Sequence, residues 1–114
     1  MNSNLIGALG ESRAQIEFMK RGHEVYTGGS NTYYDFLANK QGVITRVEVK
    51  STTRRNKTNT GWIFDIRRSF GDLPFDSSKI DKLCLYIQPL DILLIKDSKK
   101  ITQKTEYLVL DDDF

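Results

Sequence analysis

Residues 43–50, Val-Ile-Thr-Arg-Val-Glu-Val-Lys, constrain the fold more than any other stretch of the chain. In an extended strand successive side chains point to opposite faces, so Val43, Thr45, Val47 and Val49 share one face and Ile44, Arg46, Glu48 and Lys50 the other. The first face belongs against a core; the second carries an acid and a lysine two residues apart. The segment Tyr33 to Ala38 is expected as a preceding strand, with Asn39-Lys40-Gln41-Gly42 as the connection. Such a hairpin can bring Asp35 beside Glu48, although the sequence leaves its register open.

Other elements follow from apolar period and turn chemistry. A helix is expected from about Asn4 to Arg21, with Leu5, Leu9, Ile16 and Met19 as its apolar stripe and Gly22 as its stop. Gly7, Glu11, Ala14 and Phe18 form an adjoining face. Gly7 and Gly10 each cost about 1 kcal/mol of helix propensity, which predicts a late start or a close backbone contact. A short strand fits 23–26, a turn 27–31, a loop 51–60 and a strand 61–66, in which Trp62, Phe64 and Ile66 share a face. Gly71 and Pro74 disfavour regular structure. Residues 77–82 fit either a brief helix or an extended approach to the apolar run 83–87, and Gln88-Pro89-Leu90-Asp91 ends that run. Ile92 to Ile95 reads as a short buried strand, and Lys104 to Leu110 as the last strand. Without a repeat or linker, residues 1–114 are expected to form one mixed α/β domain.

The chain has 114 residues, 39% of them hydrophobic, enough for a modest core. Its formal net charge of +2 hides an asymmetry. From Lys40 to Arg68 eight basic residues face only two acids, whereas the chain ends in Asp111-Asp112-Asp113. A basic central segment attracts phosphate backbones, though a solvated charge run is the plainer reading. Within it, Arg54, Arg55, Lys57, Arg67 and Arg68 are the candidate DNA contacts, suited to holding backbone and not to reading bases. A single cysteine, Cys84, excludes an internal disulfide and a cysteine-rich metal site, and its apolar surroundings favour a buried, inert thiol. No run approaches the roughly 20 apolar residues that span a bilayer, and no N-terminal targeting pattern is visible. A soluble protein of the cytoplasm, or of an infected host's interior, is the expectation, with no membrane partner.

Glu11, Asp35, Glu48 and Lys50 carry the chemistry. Singly, each has a structural reading: Asp35 as a turn cap, Glu11 on a solvated helix face, Glu48 and Lys50 as a surface pair. Together, three carboxylates can gather a hard divalent cation, which takes oxygen ligands, water and substrate phosphate. Lys50 could orient the attacking water or stabilise charge developing on the phosphate. Tyr33, Tyr34 and Trp62 have stacking potential but read first as packing, and His23, Tyr86 and Tyr107 as structural. Ser51 and Thr52 fit phosphate binding or loop support equally, and Asp65 and Gln41 are weak candidates for a supporting role.

Gly7-x-x-x-Glu11, Tyr34-Asp35 and Glu48-Val49-Lys50-Ser51-Thr52 resemble the PD-(D/E)xK nuclease superfamily, above all its small resolvase-like and intron-homing-like members. The resemblance covers roughly residues 5 to 96 and implies a restriction-endonuclease-like fold, a central mixed β-sheet flanked by helices. It also implies a Mg²⁺-dependent endodeoxyribonuclease, with Mn²⁺ able to substitute, in which Glu11, Asp35 and Glu48 hold metal directly or through water and Lys50 assists cleavage. The substrate implied is duplex DNA cut at a site, or branched DNA cut as a Holliday junction resolvase does, by a homodimer or higher homo-oligomer. Tyr34 stands where the pattern has proline, removing that ring's fixed backbone angle ahead of Asp35. The competing expectation is a non-catalytic nuclease-fold protein that binds DNA.

Overall fold

The computed structural model describes residues 1–29, 32–68 and 72–114. The elements follow in the order α1 (Ser3–Lys20), β1 (Glu24–Thr27), β2 (Phe36–Lys40), β3 (Val43–Thr52), β4 (Gly61–Asp65), β5 (Lys82–Ile87), β6 (Ile92–Asp97) and β7 (Glu106–Leu110). Five strands form a mixed sheet in the order β1-β2-β3-β5-β6, parallel only between β3 and β5, while β4 and β7 pair as a separate antiparallel ribbon. The expected turn at 27–31 and break at Gly71 fall partly or wholly on residues outside those described.

Alternation along β5 separates two cores. Cys84 packs with Ala14, Phe18, Phe36, Ala38 and Val47 beneath α1, whereas Leu83, Leu85 and Ile87 pack with Trp62, Phe64, Ile66 and Val109 beneath the ribbon. The sheet is therefore covered by a helix on one face and by the β4–β7 ribbon on the other. Parallel register pairs Glu48 with Leu83 and Lys50 with Leu85, which puts both polar side chains on the ribbon face. At the entrance to β5, Asp81 Oδ2 accepts from Arg46 N at 2.7 Å and from Arg46 Nε at 3.0 Å, and Asp81 N donates to Arg46 O. This clamp fixes the parallel register that the β3–β5 pairing requires.

Helix α1 has the expected limits but turns the other way round its axis. Its buried residues are Gly10, Ala14 and Phe18, while Leu5, Ile16 and Met19 are 49%, 42% and 51% exposed. The reason is size. A Cβ on Gly10 would stand 2.1 Å from Ser51 Oγ and 3.2 Å from Tyr86 Cβ, so the helix lies too close to the sheet for any larger residue there. Small residues at 10 and 14 thus win the inner face, and the apolar stripe points outward. The start is capped by Asn2, whose Oδ1 accepts from Leu5 N at 2.8 Å.

Three further expectations shift. Strand β2 begins at Phe36, so Tyr33-Tyr34-Asp35 is a bend before the strand. The hairpin turn is only Gln41-Gly42, both at positive φ (54° and 85°), the geometry of a two-residue turn between twisted strands. Ser51 and Thr52 extend β3 instead of opening a loop, because Thr52 Oγ1 donates to Ile63 O at 2.6 Å and accepts from Arg54 N at 3.0 Å. Residues 77–81 approach β5 without a helix, and β6 is an edge strand, half-buried along its whole length.

Candidate active site

The site arises where two paired strands end at different places. The last β2 partner of β3 is Val47, opposite Phe36, so β3 runs on from Glu48 to Thr52 with no strand on that side. Asp35, one residue ahead of β2, occupies the gap. Its N–H donates to Val47 O at 2.8 Å, and its Oδ2 accepts from Val49 N at 2.7 Å, replacing the strand partner that Val49 lacks. A backbone bond that the sheet leaves unmade is what holds this carboxylate in position.

Glu48 lies beside it, 3% exposed, on the ribbon face. Glu48 Oε1 is 3.3 Å from Lys50 Nζ, which also donates to the backbone oxygen of Arg67 at 2.6 Å. Glu48 Oε2 is buried and has no hydrogen-bond partner among the described residues. Burial first, and then the nearby Asp35 charge, push the Glu48 carboxyl up to about 7 against the opposing pull of Lys50. Burial likewise raises Asp35, opposed by the Val49 N–H and by Lys50. Glu11 comes from α1, directly after the close-packed Gly10; partial burial raises its carboxyl, and Asp35 adds to the rise. Glu11, Asp35 and Glu48 therefore feel one another in series, with Lys50 as the cation among them.

This donor set suits a hard cation. Among the described residues no three acid, imidazole or thiol side chains are gathered as a ready-made cage. Mg²⁺ does not need one, since it keeps several waters and commonly takes one or two carboxylates plus substrate phosphate. The unpartnered Glu48 Oε2 is an anionic oxygen placed in a dry position, and a cation there would offset its desolvation.

The five basic side chains expected to meet DNA are differently placed. Arg54 is paired with Glu106, Arg55 with Asp111 at 2.7 Å, and Arg67 with Asp65 at 2.6 Å and Asp72 at 3.2 Å. Arg67 holds the Asp65 carboxyl down to about 2, which commits Asp65 to that pair. Lys57 is exposed in the turn before β4, and Arg68 donates to Pro74 O at 3.0 Å. Ser51, Arg54 and Lys50 line a 380 Å³ cleft with Ser3, Ile6 and Gly7 of α1. The Ser51 hydroxyl is buried without a hydrogen-bond partner among the described residues, whereas Thr52 is spent on supporting the loop. Gln41 sits in the hairpin turn, and His23 bonds Phe18 O at 3.1 Å and packs on the Phe18 ring, a structural part. Burial pushes the Cys84 thiol up to about 12, which leaves it inert.

Sequence reasoning did not find two parts of the site. The Val49 N–H as the anchor of Asp35 is visible only once β2 is seen to stop at Phe36, and the Arg67 carbonyl that holds Lys50 has no sequence signal at all.

Comparison with known proteins bears on the fold and the family. The solved structure of a bacterial homing endonuclease superposes with a TM-score of 0.78 at 23% identity, covering 96% of this chain and 76% of that one. It shares the fold. No curated protein sequence gives a significant match. The sequence model of the PD-(D/E)XK endonuclease matches residues 1–113, so it takes in α1 with Glu11, the β2–β3 hairpin with its two acids, and the β4–β7 ribbon that steadies Lys50. On that match over nearly its whole length, the chain belongs to the PD-(D/E)XK endonuclease family.

Proposed function

We propose that the protein is a divalent-metal-dependent endodeoxyribonuclease, its whole chain one nuclease domain, with Glu11, Asp35, Glu48 and Lys50 as its working residues. The observation that carries this reading is the buried, unpartnered Glu48 Oε2 beside Asp35 and Lys50 at the unpaired end of β3. Asp35 and Glu48 would hold Mg²⁺, or Mn²⁺ in its place, and Glu11 would contribute from α1 directly or through water. When bound, the cation supplies charge neutralisation on the phosphate and a lowered pKa for an attacking water.

The chain's own residues do the rest. Glu48 and Asp35 present carboxylate oxygens whose positions are fixed by a strand and by a backbone bond, so little reorganisation accompanies substrate binding. Lys50 Nζ, steadied by the Arg67 carbonyl and Glu48, would donate to a non-bridging phosphate oxygen as negative charge grows there. The basic segment would grip the DNA backbone inside the cell.

Duplex cutting at a site and resolution of branched DNA are both open to such a centre, and the fold shared with a homing endonuclease supports the first. Cutting two strands favours a homodimer. The outward stripe of α1 supports self-association, because Leu5, Leu9, Ser12, Ile16 and Met19 follow a 4-3-4-3 spacing that makes a continuous seam on a helix. A panel of matched linear, nicked, flapped and four-way DNA, incubated with and without Mg²⁺, tests the activity. Metal-dependent cleavage abolished by Glu48→Ala or Lys50→Ala in folded protein is the expected result. Binding without cleavage on every substrate would instead support a non-catalytic DNA-binding role.

A further inference from the structure

The cations around the site divide into two groups, and the division sets Arg68 apart from the other candidate DNA contacts and joins Lys79 to it. Arg54, Arg55 and Arg67 each lie against a carboxylate within ion-pair distance. Arg68 and Lys79 do not, among the described residues. Instead both stand over one tyrosine ring, Arg68 Cζ 5.0 Å and Lys79 Nζ 5.3 Å from the centroid of Tyr33. Tyr33 is 42% exposed, unlike its neighbour Tyr34, which packs against the core beneath the ribbon. The bend that turns Tyr33 outward is fixed by Thr32, whose hydroxyl bonds Gly29 O at 2.7 Å and Tyr34 O at 2.8 Å.

Two like charges held about one tyrosine ring repel each other, an electrostatic cost that a bound anion relieves. Asp76 is an acid that feels both. Its carboxylate is taken up by Ser78 N–H at 3.0 Å and Ser78 Oγ at 2.6 Å, and it forms no ion pair with either cation. Both cations hang from anchored backbone: Arg68 N donates to Leu73 O at 2.7 Å and Lys79 N to Asp76 O at 3.1 Å. The cluster also borders the active site. Tyr33 is two residues from Asp35, and Arg68 is close enough to Glu48 to pull its carboxyl downward in opposition to burial.

We propose that Tyr33, Arg68 and Lys79 form a phosphate clamp at the mouth of the site, holding a DNA phosphodiester next to the one to be cut. The inference rests on the nuclease reading above. Arg68 supplies the directional donor fork, Lys79 a mobile point charge, and Tyr33 the rigid platform that keeps both at the mouth while no DNA is bound. The arginines already paired with acids then serve the fold more than the substrate, and Lys79 joins the DNA-contacting residues.

The test is duplex and four-way DNA binding by the full chain in Ca²⁺, over a KCl titration, together with cleavage in Mg²⁺. For the Arg68→Ala/Lys79→Ala double variant, binding should weaken about tenfold or more, and the slope of log K against log salt should flatten by about one phosphate contact. Tyr33→Ala should weaken binding with a smaller change of slope, while Arg68→Lys should restore most of it. Lys20→Ala, an exposed lysine in the last turn of α1, on the opposite side of the sheet from the ribbon, is the control for simple loss of charge. A double variant that melts like the parent and keeps both its affinity and its slope overturns the clamp, while a parent that still cleaves leaves the nuclease reading standing. A parent that neither binds nor cuts any DNA overturns both.

Discussion

The Asp35 carboxylate accepts the Val49 N–H at 2.7 Å and so closes the open flank of β3, while in the proposed function its other oxygen would serve the metal. These two duties can be separated by substitution. Asp35→Asn keeps an acceptor for Val49 and should unfold within about 1 kcal/mol of the parent, yet cleave DNA at least about 100-fold more slowly. Asp35→Ala should lose cleavage and also about 1–3 kcal/mol of stability, the cost of an unsatisfied buried amide. Denaturant unfolding beside single-turnover cleavage checks both, and an Asn variant with parental activity would remove Asp35 from the chemistry.

Glu48 carries a proton more tightly in the folded chain than in the unfolded one, since its carboxyl is raised from 4.5 to about 7. The stability it contributes by binding that proton is therefore complete below about pH 4.5 and is lost as pH rises through 7. A shift of that size corresponds to about 3 kcal/mol. Glu48→Gln, which has no such titration, should gain on the parent by up to about that amount between pH 4 and pH 8, while losing cleavage. Equal pH profiles for the two proteins in thermal melts would contradict the burial argument.

The same proton competes with metal. If Glu48 holds the cation, Mg²⁺ affinity in the absence of DNA should fall about tenfold per pH unit below 7, and metal binding near pH 7 should release protons. Saturating Mg²⁺ should raise the melting temperature of the parent at pH 8 and leave that of Glu48→Gln nearly unchanged. Isothermal calorimetry in buffers of different ionisation enthalpy reads the proton count directly.

Gly10 is a position where propensity and packing disagree. Alanine would improve the helix by about 1 kcal/mol, but its Cβ meets Ser51 Oγ at 2.1 Å and Tyr86 Cβ at 3.2 Å, an overpacking worth about 1–3 kcal/mol. A net loss of stability is expected for Gly10→Ala, with slower cleavage because Glu11 follows on the same turn. Adding Ser51→Gly should recover part of the stability. A single variant more stable than the parent would show that the helix can lift without cost.

Self-association through the outer seam of α1 predicts a dimer by sedimentation and a monomer for Ile16→Glu, a residue 42% exposed whose replacement disturbs no core contact. Unchanged sedimentation would place any interface elsewhere.

How far the sequence was legible depended on what each signal measured. The alternation of β3 was readable because a strand's period is set by its own backbone, and with it came the pairing of Glu48 and Lys50 on one face. The outward apolar stripe of α1 was misread, since hydropathy reports which residues are apolar and not how closely a helix can approach its sheet; the glycine at position 10 held that information. Asp35 was recognised as an acid near the hairpin, but its anchor depends on where β2 stops, a tertiary fact. The basic segment showed its charge and concealed its partners, because Glu106 and Asp111 lie more than fifty residues from the arginines they neutralise.

The β4–β7 ribbon contributes no acid to the site, yet the chain leaving β4 supplies, at Arg67, the carbonyl that Lys50 leans against. A cover that only kept water off the sheet could be exchanged for any other of the same shape. This one also sets the length of a tether, so a substitution that lets Trp62 or Phe64 settle differently changes the reach of the lysine before it changes whether the protein folds. The ribbon's core is in this sense part of the tool, and neutral drift there is limited by the chemistry on the sheet face it covers.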